Sequence, residues 1–397
     1  MKELSPRSKG AIPKAGPDRR SFLKKGMTAG ALTVGAGLFG RGAAVFADSD
    51  GDQDKNGRLT KGDAAILRFL AAAEILETDL WLQYQELAGS QDDEVAAEAA
   101  AQIPNYPGTP TGGNTPYTNA VNQLDGDMHT YIHDNTDDEL THEVFINAYL
   151  ASKGASTVNL DEFRTLPSSQ ATGANKGVGR LTNLMQLTMD TSWWTRYRSS
   201  SENPDFGDTF AQAIPTLAVG QHTAIPRKDA DTSDSNFLQA IANTAGFHFA
   251  TIEQGGSSLY PQLAQRVTSV EVLRILLSIG GTEIMHFQTW QDKAGNCPDT
   301  PSQFDPVNKS TVIFDIQSAA RFTTEAFQGN LIMPEPTEFL TASFPHVSII
   351  RPTETKNAAM GAAKFLMAEN LFLGQSANFF SMIQDLASDA DAARREG

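Results

Sequence analysis

The sequence predicts an all-α protein built around four long helices, and two kinds of observation support this. Four segments are rich in helix-forming residues with apolar side chains three and four positions apart, and two of them carry the motif Glu-x-x-His. The chain has 397 residues, of which 40% are hydrophobic, enough for a large buried core. Its single cysteine, Cys297, excludes an internal disulfide and a cysteine-based zinc site. Any metal ligands must therefore be oxygen and nitrogen atoms.

The order of helical and irregular segments predicts how the domain is organised, with a helical bundle over residues 64–295. The first helix begins after Asp63, and prolines and glycines mark an insertion over 86–127. A second helix is predicted from about Met128 to Lys153, followed by a larger insertion over 155–235. The third and fourth helices are predicted over 237–263 and 268–293, the latter opened by a Thr268-x-x-Glu271 capping box. Residues 296–397 form a C-terminal extension with strand character at 347–350 and a helix at about 356–387.

The first 47 residues are predicted to be a targeting segment. Arg19-Arg20-Ser21-Phe22-Leu23-Lys24 resembles a twin-arginine export signal, and a weakly apolar run from Gly26 to Gly40 follows it. The alternative is an uncleaved membrane anchor, which is disfavoured because the run is shorter than the ~20 residues that span a bilayer. We therefore expect a periplasmic or secreted protein that is a client of the twin-arginine export machinery, without a stable membrane anchor.

Residues 48–63 match a calcium-binding loop of the EF-hand type. Counted from Asp52, oxygen-bearing side chains stand at positions 1, 3, 5, 9 and 12, and glycine stands at position 6, where such a loop turns sharply. The predicted ligands of one calcium ion are Asp52, Asp54, Asn56, Arg58 through its carbonyl, Thr60 and Asp63. The loop resembles dockerin-type loops because position 12 is Asp rather than Glu. The alternative is a flexible linker after the signal.

The charge balance excludes two classes of partner. Acidic residues outnumber basic residues by 47 to 31, which gives a net charge of −16. Such a surface repels phosphate backbones and anionic lipids, so nucleic-acid binding and membrane-surface binding are not expected.

The two Glu-x-x-His motifs carry the predicted chemistry. Residues three apart lie on one face of a helix, so Glu139 with His142, and Glu283 with His286, can each direct a carboxylate and an imidazole at one point. An acidic residue in the preceding helix accompanies each motif, with a tyrosine seven positions later. These residues are Glu77 with Tyr84, and Glu253 with Tyr260. Burying four ionised carboxylates between apolar helices requires neutralising cations.

Each part of this pattern has an alternative explanation. Glu139 could close a capping box with Thr136 if the second helix began there, and His286 alone could be a histidine satisfied in the core. Glu74 is a rival to Glu77, which the match between Tyr84 and Tyr260 favours. Gly255-Gly256 and Gly280-Gly281 could be close-packing points between helices or kinks that displace a ligand.

Over residues 64–295 the pattern resembles the ferritin-like di-metal carboxylate superfamily, which includes rubrerythrin, bacterioferritin and exported relatives of plant desiccation-related proteins. The resemblance implies an antiparallel four-helix bundle with a long crossover and a site for two iron or manganese ions. The implied ligands are Glu77, Glu139, His142, Glu253, Glu283 and His286, with the bridging and terminal roles left open. Tyr84 and Tyr260 are implied hydrogen-bond partners that orient the ligands.

The resemblance implies a redox protein that reacts with dioxygen or hydrogen peroxide, as oxidases, peroxidases and ferroxidases of the superfamily do. Its expected partners are then a small-molecule oxidant or metal ions, and formation of a homo-oligomer stays open. The alternative is a non-catalytic, stress-protective protein of the cell envelope in which the metal is structural or absent. Neither the reaction nor the identity of the metal follows from the sequence.

Overall fold

Long helices dominate the structure, a computed structural model that describes residues 57–197, 209–316, 330–332, 345, 347–349 and 357–396. The predicted signal at 1–47 and most of the predicted calcium loop lie outside these residues. In chain order, the helices before the C-terminal extension are α1 (Lys61–Ala88), α2 (Glu94–Gln102), α3 (Thr115–Val121), α4 (Met128–Ser152), α5 (Ser192–Arg196), α6 (Ser235–Ala264) and α7 (Val270–Gly295). The four longest, α1, α4, α6 and α7, agree with the four predicted helices.

Short polar side chains fix the starts of three of these helices. Thr60 accepts a hydrogen bond from the backbone N–H of Asp63 at the start of α1, and Asp234 caps α6 in the same way. The N-cap of α7 is Ser269, one residue after the predicted Thr268. Helix α4 begins at Met128, so Thr136 is inside the helix and its hydroxyl donates to the carbonyl of Ile132. The capping-box explanation of Glu139 is therefore wrong.

The four helices pack as two pairs, α1 with α4 and α6 with α7. Buried aromatic rings join the pairs. Trp81 of α1 stacks on Trp290 of α7 at 5.2 Å between ring centroids and on Phe249 of α6 at 5.1 Å. Such contacts bury large apolar areas and fix the relative positions of the helices.

The crossover between α4 and α6 is mostly irregular, and buried acidic side chains of α1 attach it to the bundle. Arg180 pairs with Glu86 at 2.6 Å, and Arg164 pairs with Asp79 at 2.9 Å. Asp79 also accepts hydrogen bonds from the backbone N–H groups of Leu181 and Thr182, which have no ladder partner. These charged contacts satisfy backbone groups that a buried irregular segment would otherwise leave unpaired.

The C-terminal extension combines short strands with two helices. Strands β1 (Thr300–Asp305) and β2 (Ser310–Phe314) form an antiparallel hairpin, and β3 (Asn330–Ile332) pairs antiparallel with β4 (Val347–Ile349). The helix predicted over about 356–387 is two helices, α8 (Ala358–Ala368) and α9 (Ala377–Ala392). Asn370 and Gly374, with φ of 64° and 101°, lie between them in the left-handed region, which ends a right-handed helix.

The predicted fold class, an all-α bundle with insertions and additional helices, is confirmed. Helix α9 packs on α1, and α8 packs on α6. Among the residues described, none of the helices combines the length and apolarity that crossing a membrane requires.

Candidate metal centre

Three carboxylates and an imidazole from three helices converge on one point in the bundle. His142 Nδ1 lies 3.0 Å from Glu139 Oε2, 3.4 Å from Glu74 Oε2 and 3.4 Å from Glu283 Oε1. All four side chains are buried. Glu139 and His142 are three residues apart on α4, so one face of that helix presents both to the same point.

A second group of the same composition lies beside the first. His286 Nδ1 lies 3.2 Å from Glu139 Oε1 and 3.2 Å from Glu253 Oε2, and Glu283 completes the group with His286 on α7. Glu139 and Glu283 belong to both groups, whereas Glu74 and Glu253 each belong to one. Two ions held in these groups would therefore share the carboxylates of Glu139 and Glu283, whereas Glu74 and Glu253 would each serve one ion, a division that the sequence left open.

The distances fit metal coordination. Two ligand atoms about 2.1 Å from one ion, at octahedral or tetrahedral angles, lie about 3.0 to 3.4 Å apart. The distances from the two histidine Nδ1 atoms to the carboxylate oxygens fall in this range. Several buried atoms here make no well-directed hydrogen bond to any described residue: Glu74 Oε2, Glu253 Oε2, both oxygens of Glu283 and His286 Nδ1. Buried polar atoms are rarely left in this state unless another ligand satisfies them.

The buried carboxylates of the centre are close to one another, and positive charge would stabilise them. Burial raises the pKa of Glu74 to about 7, and burial followed by repulsion from Glu139 raises the pKa of Glu283 well above its usual value. Burial alone would also raise the pKa of Glu139, but His142 and His286 hold it below the usual range. Without cations Glu283 retains its proton and Glu74 is partly protonated near neutral pH, and divalent ions would displace those protons on binding.

Hydrogen-bond donors contact one oxygen of each of three carboxylates, those of Glu74, Glu139 and Glu253. The Tyr260 hydroxyl donates to Glu74 Oε1, and Trp81 Nε1 donates to Glu253 Oε1 at 3.0 Å. Asn135 Nδ2 donates to Glu139 Oε1 and to Glu253 Oε1, both at 3.0 Å, and Trp290 Nε1 in turn donates to Asn135 Oδ1. These bonds fix the orientation of the three carboxylates that they contact, which is what partners of metal ligands do.

The two groups differ in their surroundings. His286 Nε2 lies 3.2 Å from Asp138, whereas Thr282, which precedes Glu283 as Asp138 precedes Glu139, donates its hydroxyl to the carbonyl of Ser278. A carboxylate on the far nitrogen of an imidazole increases its basicity. The position of the second ion, at His286, would therefore differ electronically from that of the first, at His142.

The distances favour Glu74 over the predicted Glu77 as the ligand from α1. Glu77 is next to the centre rather than in either group. Burial, followed by repulsion from Glu283 and Glu139, raises its pKa well above the usual value. Its Oε1 makes no hydrogen bond to any described residue. The other five predicted ligands, Glu139, His142, Glu253, Glu283 and His286, lie together as expected.

The two predicted tyrosines also differ from each other. Tyr260 bonds to Glu74 as an orienting partner should, whereas the hydroxyl of Tyr84 bonds to His248 Nδ1 at 2.6 Å. The equivalent of Tyr260 is Trp81, because Trp81 follows Glu74 by seven residues as Tyr260 follows Glu253. A search for any donor at that spacing, rather than for tyrosine, would have kept Glu74 as well as Glu77, since Trp81 and Tyr84 can both donate. Asn135, which the sequence analysis missed, is one turn before Glu139 on α4.

Two glycines leave room for the centre. A Cβ at Gly256 would lie 2.1 Å from Glu283 Oε2, and a Cβ at Gly280 would lie 2.7 Å from the Cβ of Tyr260. Both helices continue past these positions. One glycine of each pair, Gly256 and Gly280, is therefore a close-packing point.

Another group of acidic residues with a histidine lies away from the centre. It contains Asp92, Glu94 and His133, and the first two are only partly buried. His133 Nε2 lies 2.9 Å from Asp92, and its Nδ1 lies 3.2 Å from Asp134. Both ring nitrogens therefore already have carboxylate partners from the protein.

Three of the six predicted calcium ligands lie among the described residues. Thr60 caps α1, and both oxygens of Asp63 accept hydrogen bonds from backbone N–H groups, those of Thr268 at 2.8 Å and Ser269 at 2.9 Å. Arg58 is exposed. Asp52, Asp54 and Asn56 lie outside the described residues, so calcium binding stays a prediction.

Comparison with known proteins identifies the bundle. A family model described as "Ferritin-like domain" matches residues 62–295, more than half of the chain and the part that contains all four long helices. No curated protein and no solved structure gives a match. With the bundle, the two buried groups and this match taken together, the chain belongs to the ferritin-like domain family.

Proposed function

We propose that this protein is an exported di-metal redox protein, in which two iron or manganese ions react with dioxygen or hydrogen peroxide. The observation that carries the proposal is the pair of overlapping buried groups, each with one histidine Nδ1 and three carboxylates, two of which are shared. Oxygen-rich ligation with only two imidazoles suits iron or manganese better than ions that prefer thiolates.

The residues of the chain have distinct parts in this proposal. Glu74, Glu139, His142, Glu253, Glu283 and His286 would hold the ions. Tyr260, Trp81 and Asn135 keep the ligating carboxylates in position, and the surrounding apolar core limits access of water. When bound, two ions that each change by one electron would supply the two electrons that reduce hydrogen peroxide to water, with an external reductant restoring them.

Export is part of the proposal because the twin-arginine-like segment at Arg19-Arg20 precedes the bundle. A pathway that carries folded proteins suits a buried metal centre, because ions can be loaded in the cytoplasm before export. Fractionation of the native host would test this. Full-length protein in the cytoplasmic fraction, without a shorter form in the envelope or medium, would refute export.

Metal analysis of protein purified from its own host tests the metal centre. We expect two equivalents of iron or manganese in the wild type and almost none in the double variant Glu139→Gln, Glu283→Gln, which removes both shared carboxylates. Glu271→Gln is the matched control, because Glu271 is also on α7 but is largely exposed and pairs with Lys153. It should keep both ions.

The absorbance response to peroxide separates the two function classes. A change in the metal-dependent absorbance of the wild type on addition of peroxide, absent in the double variant, supports redox activity. Two tightly held ions that do not respond to peroxide or dioxygen would refute the redox proposal and favour a structural, stress-protective role. Wild-type protein without stoichiometric metal would refute the metal centre itself.

A further inference from the structure

A cavity of about 310 Å³ lies between α1, α6 and the C-terminal helix α8. Sites for organic ligands begin at about 300 Å³. Most of its wall is apolar and is contributed by Phe69, Leu76, Leu80, Leu259, Phe365 and Leu366 among others. The cavity is therefore large enough for a small organic molecule, and its wall favours an apolar one.

One part of this cavity borders the metal centre. Glu74 and Glu77 both line it. Glu77 is half-buried, and one of its carboxyl oxygens is fully shielded from solvent. A molecule in the cavity would therefore lie beside Glu74, the terminal carboxylate of the His142 group.

Small residues on facing helices create this space. Ala72 and Ala73 of α1 line the cavity, as do Gly255 of α6 and Gly361 of α8. A Cβ at Gly255 or at Gly361 would meet no other atom within 4 Å. In contrast to Gly256, whose missing side chain makes room for Glu283, these two glycines face open space.

From this arrangement we infer that the cavity binds a neutral, mainly apolar organic molecule next to the Glu74 side of the centre. Only one part of this inference rests on the proposed function, namely that the bound molecule is the substrate that reacts at the metal ions. Carboxylates at the inner end disfavour an anionic group there. Because most of the wall is apolar, a charged or strongly polar ligand would lose hydration over most of its surface there.

The short helix α5 contributes the remaining wall. Trp193 lines the cavity, and its indole nitrogen donates to Thr251 of α6 at 3.0 Å, which fixes the ring in place. Asp190 and Arg196 also line it, and each carries a charge that the other partly offsets, since Arg196 contributes to lowering the pKa of Asp190. The crossover and the C-terminal extension thus complete the cavity that the bundle begins.

Fluorescence titration of the full chain with 1-aminoanthracene, a neutral aromatic probe that brightens in apolar surroundings, tests the inference. We expect saturable binding at one site, competition by 1-decanol and little competition by decanoate at equal concentration. Gly255→Leu and Gly361→Leu fill the cavity and should each weaken binding by about tenfold or more, the size of effect that overpacking typically causes.

Gly281→Leu is the matched control. Gly281 is a helical glycine on the exposed face of α7, and its Cβ would also meet nothing within 4 Å, but it does not line the cavity. Because leucine has a higher helix propensity than glycine, the three variants should fold, which thermal unfolding checks. Absence of saturable binding, or equal affinity in the wild type and all three variants, would overturn the inference.

Titrating metal-free and metal-loaded protein in parallel keeps this inference separate from the proposed function. If the wild-type protein binds no stoichiometric metal but its probe binding is weakened by Gly255→Leu, the cavity is supported and the metal centre is refuted. Two bound ions with no effect of Gly255→Leu or Gly361→Leu on the probe would support the metal centre and refute the cavity site.

Discussion

Gly256 shows how a single absent side chain can determine a ligand position. A Cβ there would lie 2.1 Å from Glu283 Oε2, so Gly256→Ala must displace a shared carboxylate of the centre. We expect the variant to lose most of its metal, while its helix propensity improves by of order 1 kcal/mol. Metal analysis and thermal unfolding of the metal-free protein measure the two effects.

The neighbouring glycine supplies the control for this change. A Cβ at Gly255 meets nothing within 4 Å, so Gly255→Ala should keep the full metal content and gain only the helix propensity. Equal metal content in Gly256→Ala and Gly255→Ala would show that Glu283 does not occupy a ligand position.

A buried acid outside the centre gives a pH-dependent effect. Glu369 is buried, neither of its side-chain oxygens makes a well-directed hydrogen bond to any described residue, and burial raises its pKa well above the usual value. Above the unfolded pKa of about 4.3 the unfolded state loses this proton while the folded state retains it, so the residue lowers stability as pH rises. Glu369→Gln removes this penalty.

We therefore expect the stability of Glu369→Gln, relative to the wild type, to increase by about 1 to 3 kcal/mol between pH 5 and pH 8. Urea unfolding at both pH values measures it, with Glu271→Gln as an exposed control that should change little. A relative stability that is the same at pH 5 and pH 8 would show that Glu369 is ionised in the folded protein.

At the scale of single residues, the sequence predicted five of the six ligands that the geometry groups, and it weighed Glu74 against Glu77 for the sixth. It preferred Glu77 because the repeat was sought as Glu followed by Tyr. What the two halves repeat is a hydrogen-bond donor and not a tyrosine. Trp81 of α1 donates to Glu253 of α6, and Tyr260 of α6 donates to Glu74 of α1. The packing of α1 against α6 determines which carboxylate each donor reaches, and this packing cannot be read from one sequence.

Among the elements, the start of α7 depends on a residue at the start of α1. The buried carboxylate of Asp63 accepts the backbone N–H groups of Thr268 and Ser269, which precede α7. We expect Asp63→Ala to destabilise the protein by about 1 to 3 kcal/mol, because two partly buried N–H groups lose a charged acceptor at a helix N-terminus. Chemical unfolding measures this, and Asp63→Asn should recover part of the loss.

Asp389→Ala is the control for this prediction. Asp389 is exposed and lies 3.9 Å from Arg68, a surface pair whose loss should cost less than about 1 kcal/mol. If Asp63→Ala costs no more than Asp389→Ala, the contact between Asp63 and the start of α7 does not stabilise the fold.

The long helices were predictable because their signals are local. Apolar spacing and capping residues placed α4, α6 and α7 within two or three residues of their observed ends. The C-terminal helix was predicted as one helix, although Gly374 is a signal for a break; the other residue of the break, Asn370, is a polar residue whose left-handed conformation the helical pattern does not indicate. The crossover is mostly irregular and has no periodic pattern of apolar residues. Its position depends on ion pairs with Asp79 and Glu86 of α1, which are distant in the sequence.

On the scale of the whole molecule, the segments outside the minimal bundle enclose one side of the metal centre. The family match covers residues 62–295, while α8 and α9 pack on α6 and α1 from outside that range. The cavity beside Glu74 exists only because these later helices close it. The sequence predicted the bundle and left the role of the extension open, because a cavity depends on tertiary contacts between segments that share no motif.

Metal removal connects the centre to the stability of the whole fold. In the metal-free protein the carboxyls of Glu74, Glu253 and Glu283 are buried with raised pKa values, so the bundle retains groups that are costly to bury. Each ion that binds the folded state alone stabilises it by about 2.7 kcal/mol at a hundredfold excess over its Kd, so two ions contribute about 5 kcal/mol. For a domain of this size each kcal/mol corresponds to about 2 to 4 °C, so we expect chelation of both ions to lower Tm by about 10 to 20 °C.

Calorimetry with and without chelator measures this shift, and two comparisons assign it to the centre. Adding back manganese or ferrous iron should restore Tm, whereas calcium alone should not, because calcium would act only at the predicted loop after the signal. The double variant Glu139→Gln, Glu283→Gln should unfold at the same temperature with and without chelator, since it lacks both shared carboxylates. A chelator-sensitive Tm in that variant would place the stabilising ion elsewhere in the chain.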